Sequence, residues 1–484
     1  MHTLPLRPSL LRRHAASLCA LALVAGCAVQ RPPADVAAPS PSAWLYGTPT
    51  LPHQGHTADL ALWWGQWQDP VLTQLQTQAQ AASPTVAAAA TRVAQARTAT
   101  VAAGAAGTPQ LNASAGVGRS VLQAGMPALT QATAGLQVSW ELDLWGGLQA
   151  GSDAASERLQ ASQAQWHEAR VAVAAEVARQ YVGLRACQQM QALTAADVQA
   201  RENIARLTDE RLRVGFDAPA NAALTRASAA QGRMELTQQE ARCKAALAAL
   251  VALTAADGPA LQAQLAPSNP PTPLPKLAEG ALPQTLPAQA LAQRPDVWAA
   301  QRGVAAASAD VGAAQADRYP RLGLSGNISR VGSRGPGNDG NTWSIGPLQL
   351  TLPLLDGGRR ASQVQAQQAA YEEAVVAYRA AVRNAVREVE QALVELHSTA
   401  TRQADATTAT QGFAQALQAA TDRHRAGLGN LLELEDARRS ALAAQMAQTA
   451  LERDRLLAFI DLYRAYGGGW LPDDATATRP IQTD

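Results

Sequence analysis

A chain of 484 residues with 40 basic and 39 acidic side chains has almost no net charge, and its charges alternate in sign along helical stretches. That balance leaves no basic stripe for nucleic acid. Hydrophobic residues make up 47% but aromatics only 4%, with much of the remainder alanine, so helices here cannot bury an ordinary large-side-chain core. In chain order, Arg7, Arg12 and Arg13 precede an apolar run, Ala15 to Ala25, too short to cross a bilayer as a helix. The run ends in Val24-Ala25-Gly26-Cys27, which looks like a lipobox, and Cys27 is then the acylated mature N-terminus. The alternative is an ordinary signal peptide that happens to contain a cysteine. Ala28, rather than an aspartate, points to the outer membrane.

A Pro-rich segment, residues 31 to 52, reads as an extended tether leading away from the lipid. Asp69-Pro70 starts a short helix and Pro84 a longer one, to Gly107. Residues 109–120 and 131–144 alternate apolar and polar, as half-buried strands do, around a Gly/Pro-containing loop. A helical pattern free of proline then runs from Gly147 to Leu212, breaks at Val214-Gly215-Phe216 and Pro219, and returns to Thr254. The second half repeats the plan: helix 295–318, strands 320–331 and 342–355, helix 358–426, a turn at Gly427, and a return to Tyr466. Pro347 predicts a bulge or a sheet edge. Pro84 and Pro295, Pro109 and Pro320, and Gly146 and Gly357 are each displaced by 211 residues; Gly215 and Gly427 are displaced by 212. One offset at several landmarks predicts an internal duplication.

The organisation is therefore a signal peptide (1–26), a lipid-anchored tether (27–60), a first repeat (61–256), a linker or equatorial segment (257–290), a second repeat (291–466) and a disordered tail (467–484). The long helices, 66 and 69 residues, span about 100 Å each. A short helix stacked on a returning one makes 60 or 62 residues, close to the same height. Four strands cannot close a barrel alone, because their edges would face lipid. A homotrimer supplies twelve strands and twelve helical columns. Cys187 and Cys243 are equidistant from Gly215, which permits a periplasmic disulfide; two separately buried thiols are the alternative.

Several segments carry a family resemblance: Trp67-Gln68-Asp69-Pro70, Ser139-Trp140-Glu141-Leu142-Asp143-Leu144-Trp145-Gly146, Gln293-Arg294-Pro295-Asp296-Val297, Tyr319-Pro320-Arg321-Leu322, and Gly346-Pro347-Leu348 through Leu352-Pro353-Leu354-Leu355-Asp356-Gly357-Gly358. In order and spacing the chain resembles the TolC/OprM-like outer-membrane factors, and among them the NodT-type lipoproteins. The resemblance implies a mostly α protein with a small β part: a trimeric α-helical barrel continued by a 12-stranded transmembrane β-barrel. It implies the exit duct of a tripartite efflux pump or a type I secretion system, with no chemistry and no cofactor. Its partners would be a periplasmic adaptor and an inner-membrane transporter of RND, MFS or ABC type.

The resemblance places adaptor docking at Val214, Gly215, Phe216 and at Ala426, Gly427, Leu428, although the glycines are needed for turn geometry alone. It places a pore gate at Glu433 and Asp436, which share a helix face, so that a trimer rings a constriction with six carboxylates. A solvated helix with ordinary surface pairs is the plainer alternative, and Glu435, with Arg438 and Arg439 one turn on, fits it. Asn221, where an acidic residue is common, and Pro219 depart from the family at the first tip. Trp140, Trp145, Tyr319 and Trp343 stand where interfacial aromatics are expected, though Trp145 equally suits packing between sheet and helices. His53-x-x-His56 reads as a chance pair rather than a metal site. Glu372-Glu373 and Glu388-x-Glu390 read as helix-surface charges. A lipid-anchored trimeric coiled-coil structural or adhesion protein is the rival reading, opposed by the strands and the repeat.

Overall fold

The computed structural model describes residues 29–45, 64, 67–121, 128–268, 270–275, 291–292, 294–334 and 339–470. Cys27, His53, His56, and all of the C-terminal segment beyond Trp470 lie outside the described residues. Element order is α1 (Pro70–Ala82), α2 (Pro84–Ala106), β1 (Gln110–Ser120), β2 (Leu129–Leu142), α3 (Gly147–Arg213), α4 (Pro219–Thr254), α5 (Gly258–Gln264), α6 (Pro295–Ala316), β3 (Arg321–Arg334), β4 (Gly340–Thr351), α7 (Arg359–Arg425) and α8 (Leu431–Ala465), then a 3-10 turn at Gly467–Gly469. Proline opens α1, α2, α4 and α6, where its missing N–H costs nothing. Helices α3 and α7 each run 67 residues without a break. None of the described helices is long and apolar enough to cross a membrane. The described residues fall into two compact units. One draws on residues up to Ala38, Thr91–Gln163 and Ala299–Ala380, the other on Pro39–Ala90, Ala164–Trp298 and Ala381 onward.

The first unit holds the sheet, four antiparallel strands in the order β1-β2-β3-β4. The register puts Leu111 beside Val138, Leu136 beside Ile328, and Ile328 beside Trp343, so apolar side chains share one face. The other face carries Asn112, Gln137, Asn327 and Ser344, which neighbour one another in the same way. Directly opposed residues point the same way, so each strand's alternation becomes one apolar and one polar sheet face. Pro347 sits on the edge strand β4, opposite a register shift between Leu324 and Gly326. Strand β4 stops at Thr351, short of the expected Leu355, because Pro353 offers no N–H to a ladder. Residues 29–38 form neither helix nor strand but are held: Arg31 pairs with Asp153 at 2.7 Å, and Tyr371 donates to the Pro33 carbonyl at 2.8 Å.

Against the expectation from composition, the second unit does contain a core of large side chains, because the few it has converge there: Leu72, Leu75, Tyr181, Leu250, Phe459, Ile460 and Leu462 are buried together. Asp69 caps α1 by accepting from the Val71 and Leu72 amides, and its other oxygen accepts from Tyr181 at 2.6 Å. That bond and burial push the Tyr181 hydroxyl up to about 12, burial being the larger cause. The segment after α4 is not a bare linker. Asp257 caps α5, and Leu261 and Leu265 enter the core. Nor does order end at Tyr466: Trp470 is buried, with its ring 6.2 Å from His167 and 6.0 Å from Trp298, because an indole gains more by packing than by trailing in water.

Arg294 forms two bonds to Asp296 (2.9 and 2.6 Å), one to Glu388 (2.8 Å) and one to the Ala465 carbonyl at the end of α8 (2.9 Å). Glu388 is thus a partner of a buried guanidinium, not the plain surface charge its sequence context suggests. Cys187 of α3 and Cys243 of α4 form a disulfide with Cα atoms 5.5 Å apart. The bond closes a loop spanning 56 positions, for which chain entropy gives about 4 kcal/mol. The double variant Cys187→Ala/Cys243→Ala should lose up to that amount in a denaturant titration, and a reductant should destabilise the wild type to the variant's level.

Candidate functional site

Helix-hairpin tips are the places where these helices present anything other than a flank, and both close in the same way. At the first, Gly215 has φ of 78°, its amide bonds the Leu212 carbonyl, and the Phe216 amide bonds Arg211 O at 2.8 Å. At the second, Gly427 has φ of 72°, its amide bonds His424 O, and the Leu428 amide bonds Arg423 O at 2.8 Å. A left-handed residue after the last turn satisfies the orphan carbonyls, and only glycine takes it without strain. The tips then expose apolar side chains: Val214 is 65% exposed, Phe216 77% and Leu428 81%.

The returning helices are capped differently. Asn430 accepts from the Glu433 amide at 2.7 Å, the usual side-chain cap. Ala218 has no such side chain, and no side chain caps the first turn of α4; Asp217 bonds within the tip instead. It accepts from the Ala218 amide at 2.9 Å and from Asn221 Nδ2 at 2.7 Å. Pro219 fits because it occupies the first helical position. The hydrogen bond from Asn221 chiefly holds the Asp217 carboxyl below its usual range, with the Ala218 amide, Arg211 and His424 assisting. Asn221 therefore does not remove charge from this tip; it steadies the charge of Asp217.

Glu433 and Asp436 are both exposed on α8, and each has a basic partner. Glu433 pairs with Arg423 across the tip, and Asp436 pairs with Arg439 at 3.3 Å. Local spacing shows no base near Glu433, because its partner lies on the other arm of the hairpin.

Glu435 is the surprise. It is 8% exposed, and it belongs to a buried group of two acids and two bases. Arg438 bonds Glu435 at 2.7 Å and approaches Asp197 at 3.7 Å. Arg201 bonds Asp197 at 2.6 Å and reaches Ser228 Oγ at 3.3 Å, while Ser228 donates to Glu435 at 2.8 Å. Helices α3, α4 and α8 are thereby tied together by a neutral ring of charge. Gly232 makes room for it: a Cβ there would stand 3.2 Å from Arg201 Cδ. Burial pushes the Asp197 carboxyl up, and Arg201 and Arg438 pull it back. The reading of Glu435 as a solvated surface charge is corrected accordingly.

The four aromatics do not act alike. Trp343 is 74% exposed on the apolar sheet face. Trp140 Nε1 donates to Gly107 O at 3.0 Å. Trp145 stacks on Tyr319 with centroids 5.0 Å apart and donates to Pro320 O at 2.6 Å. No cluster of metal-binding side chains occurs among the described residues.

Two stretches, 75–256 and 286–468, match the profile described as Outer membrane efflux protein, and between them they hold both strand pairs and both tips. The chain belongs to that family. Pyoverdine export outer membrane protein OpmQ of Pseudomonas putida is 30% identical over 476 residues, covering 95% of this chain and 98% of its own length. Outer membrane protein OprJ of Pseudomonas aeruginosa is 32% identical over 334 residues, 68% of each chain. Among solved structures, the outer-membrane channel OprN superposes with a TM-score of 0.80 at 27% identity, covering 90% of this chain and 98% of that one. This outer membrane efflux protein is accordingly an exit-duct channel of the outer membrane that reaches into the periplasm.

Sequence reasoning missed the buried ring because its members are spaced three or four apart on their helices, as surface pairs are. The signal was Gly232, a helix-interior glycine one turn beyond Ser228. Asp197→Ala, which leaves the buried Arg201 guanidinium without its carboxylate while Arg438 keeps Glu435, should cost about 3–5 kcal/mol in thermal melts of the detergent-solubilised protein. Asp436→Ala, which breaks an exposed pair, should stay within about 0.5 kcal/mol of the parent. Since the folded Asp217 pKa is depressed, its stabilisation is present at neutral pH and lost as pH falls through the folded value. Exchange protection of residues 211–221, corrected for intrinsic rates, should hold from pH 7 to about 4 and drop below it. In Asp217→Ala the acid step should vanish, together with about 1 kcal/mol of local stability from the lost hydrogen bonds.

Proposed function

We propose that the chain works as a homotrimeric exit duct of a tripartite efflux pump, its sheet forming one third of a 12-stranded barrel. The observation that carries this is the sheet itself, with one apolar face, one polar face and two unpaired edge strands, in a chain of the efflux family. Lipid on one side and water on the other call for such a sheet, and its edges call for strands from further copies. The profile matches in two stretches, which supports an internal duplication with helix, two strands and helix hairpin in each half.

Acylation of Cys27 would add a lipid anchor. The exposed apolar tips around Gly215 and Gly427 are the docking surface for a periplasmic adaptor, and an RND, MFS or ABC transporter supplies the energy. Glu433 and Asp436 ring the periplasmic entrance, where Arg423 ties Glu433 to the other arm of the hairpin. Trp140 and Trp343 mark the membrane interfaces, while Trp145 and Tyr319 join strand ends to helices. The duct performs no reaction. Relatives are named for export of pyoverdine, toluene and cations, so the choice of cargo is assigned to the inner-membrane pump.

Native mass spectrometry of protein extracted from outer membranes tests the assembly: the expected result is a trimer whose chains begin at Cys27 and carry acyl mass. A monomer would remove the barrel. In planar bilayers Glu433→Gln/Asp436→Asn should raise single-channel conductance and weaken cation preference. Unchanged conductance and selectivity would move the gate elsewhere.

A further inference from the structure

The strands carry four basic residues, Arg119, Arg321, Arg330 and Arg334, and the register sorts them by end and by face. Arg321 stands where β3 leaves α6. It shares the polar face, since it opposes Thr351, and it is neutralised by Asp317 at 2.5 Å and Glu141 at 3.9 Å. The other three stand at the hairpin-loop end. Arg119 opposes Thr130, which in turn opposes Arg334, and Arg330 opposes Ala134. Counting in twos from Leu111, Leu136 and Ile328 puts all three on the apolar face. All three are exposed.

Strand geometry fixes their spacing. Arg119 and Arg334 are two strand widths apart, about 10 Å, and Arg330 and Arg334 are four residues apart, about 13 Å. One carboxylate lies near them: Asp339 accepts from the Ser333 amide and hydroxyl and stands within electrostatic reach of Arg330. The two hairpin loops, residues 122–127 and 335–338, contain no charged residue. Three guanidinium groups against one carboxylate leave a local charge of +2 on a face that is otherwise apolar.

Such a face suits hydrocarbon, where an arginine is costly at mid-bilayer and nearly free at headgroup depth. The arginines therefore mark the headgroup level at the loop end, and nothing comparable occurs on the same face at the helix end. We infer that Arg119, Arg330 and Arg334 form a binding site for the phosphate groups of a glycolipid, the lipid A type that fills the outer leaflet of an outer membrane. Guanidinium groups bind phosphate in pairs of parallel hydrogen bonds, and a spread of about 10 by 13 Å matches a headgroup with two separated phosphates rather than a single ion. The inference rests on the reading of the sheet as a membrane barrel with its hairpin loops outward.

The test titrates full-length protein in detergent with bis-phosphorylated lipid A and with the dephosphorylated form, counting bound lipid by native mass spectrometry. A parallel measurement records channel conductance in phosphatidylcholine bilayers. Wild type should bind the phosphorylated lipid about fivefold more tightly for each arginine, hence roughly a hundredfold more tightly than Arg119→Gln/Arg330→Gln/Arg334→Gln. It should prefer the phosphorylated form, and both proteins should conduct. Equal binding by wild type and variant, or equal binding of the two lipids, with conductance intact, overturns the site and leaves the duct standing. A wild type that never conducts overturns the duct, and the lipid site with it.

Discussion

A strand edge in hydrocarbon leaves a row of N–H and C=O groups with nothing to bond, and no side chain can remedy it. Both β1 and β4 have an edge left unpaired within one chain, and the sheet between them is apolar on one face. On the proposed barrel reading, membership in the efflux family and the exposure of large side chains such as Ile345 and Leu350 are parts of one circumstance: strands from other copies complete the sheet. The alanine-rich helices obey a milder form of the rule. Helix α2 buries a single residue, Ala89, so little of its surface is covered within one chain.

Buried charge has a different role. The ring of Asp197, Arg201, Glu435 and Arg438 adds little net stability compared with an apolar core, since desolvating four charges offsets most of their attraction. What it does add is geometry. An ion pair off by an ångström is a poor one, so helices joined this way have one rotation and one height. The Arg294 clamp acts similarly: one guanidinium fixes the start of α6, a carboxylate of α7 and the last carbonyl of α8.

Most of the architecture was legible in the sequence because it depends on local signals. Alternation marked the strands, proline the helix starts, and Gly215 and Gly427 the reversals. Legibility stopped where partners are distant in the chain. Arg423 reaches Glu433 around a turn, Glu435 is indistinguishable by spacing from a surface acid, and Trp470 looks like part of a polar tail until His167 and Trp298 are seen beside it. The Cys187–Cys243 bond is intermediate: symmetry about Gly215 put the two at one height, but helix rotation, which decides whether they face each other, has no local signature.

That bond has a bearing on how the protein survives in a compartment full of proteases. Everything from residue 188 to residue 242, the first tip included, lies between its two sulfurs. A protease that cut the exposed turn at Val214 or Phe216 would sever the backbone without separating the arms, which stay joined 5.5 Å apart at the level of the core. The hairpin at Gly427 has no such staple, as no cysteine follows Cys243 in the chain. Of the two tips, the first is covalently insured against a nick, and the second depends on noncovalent contacts.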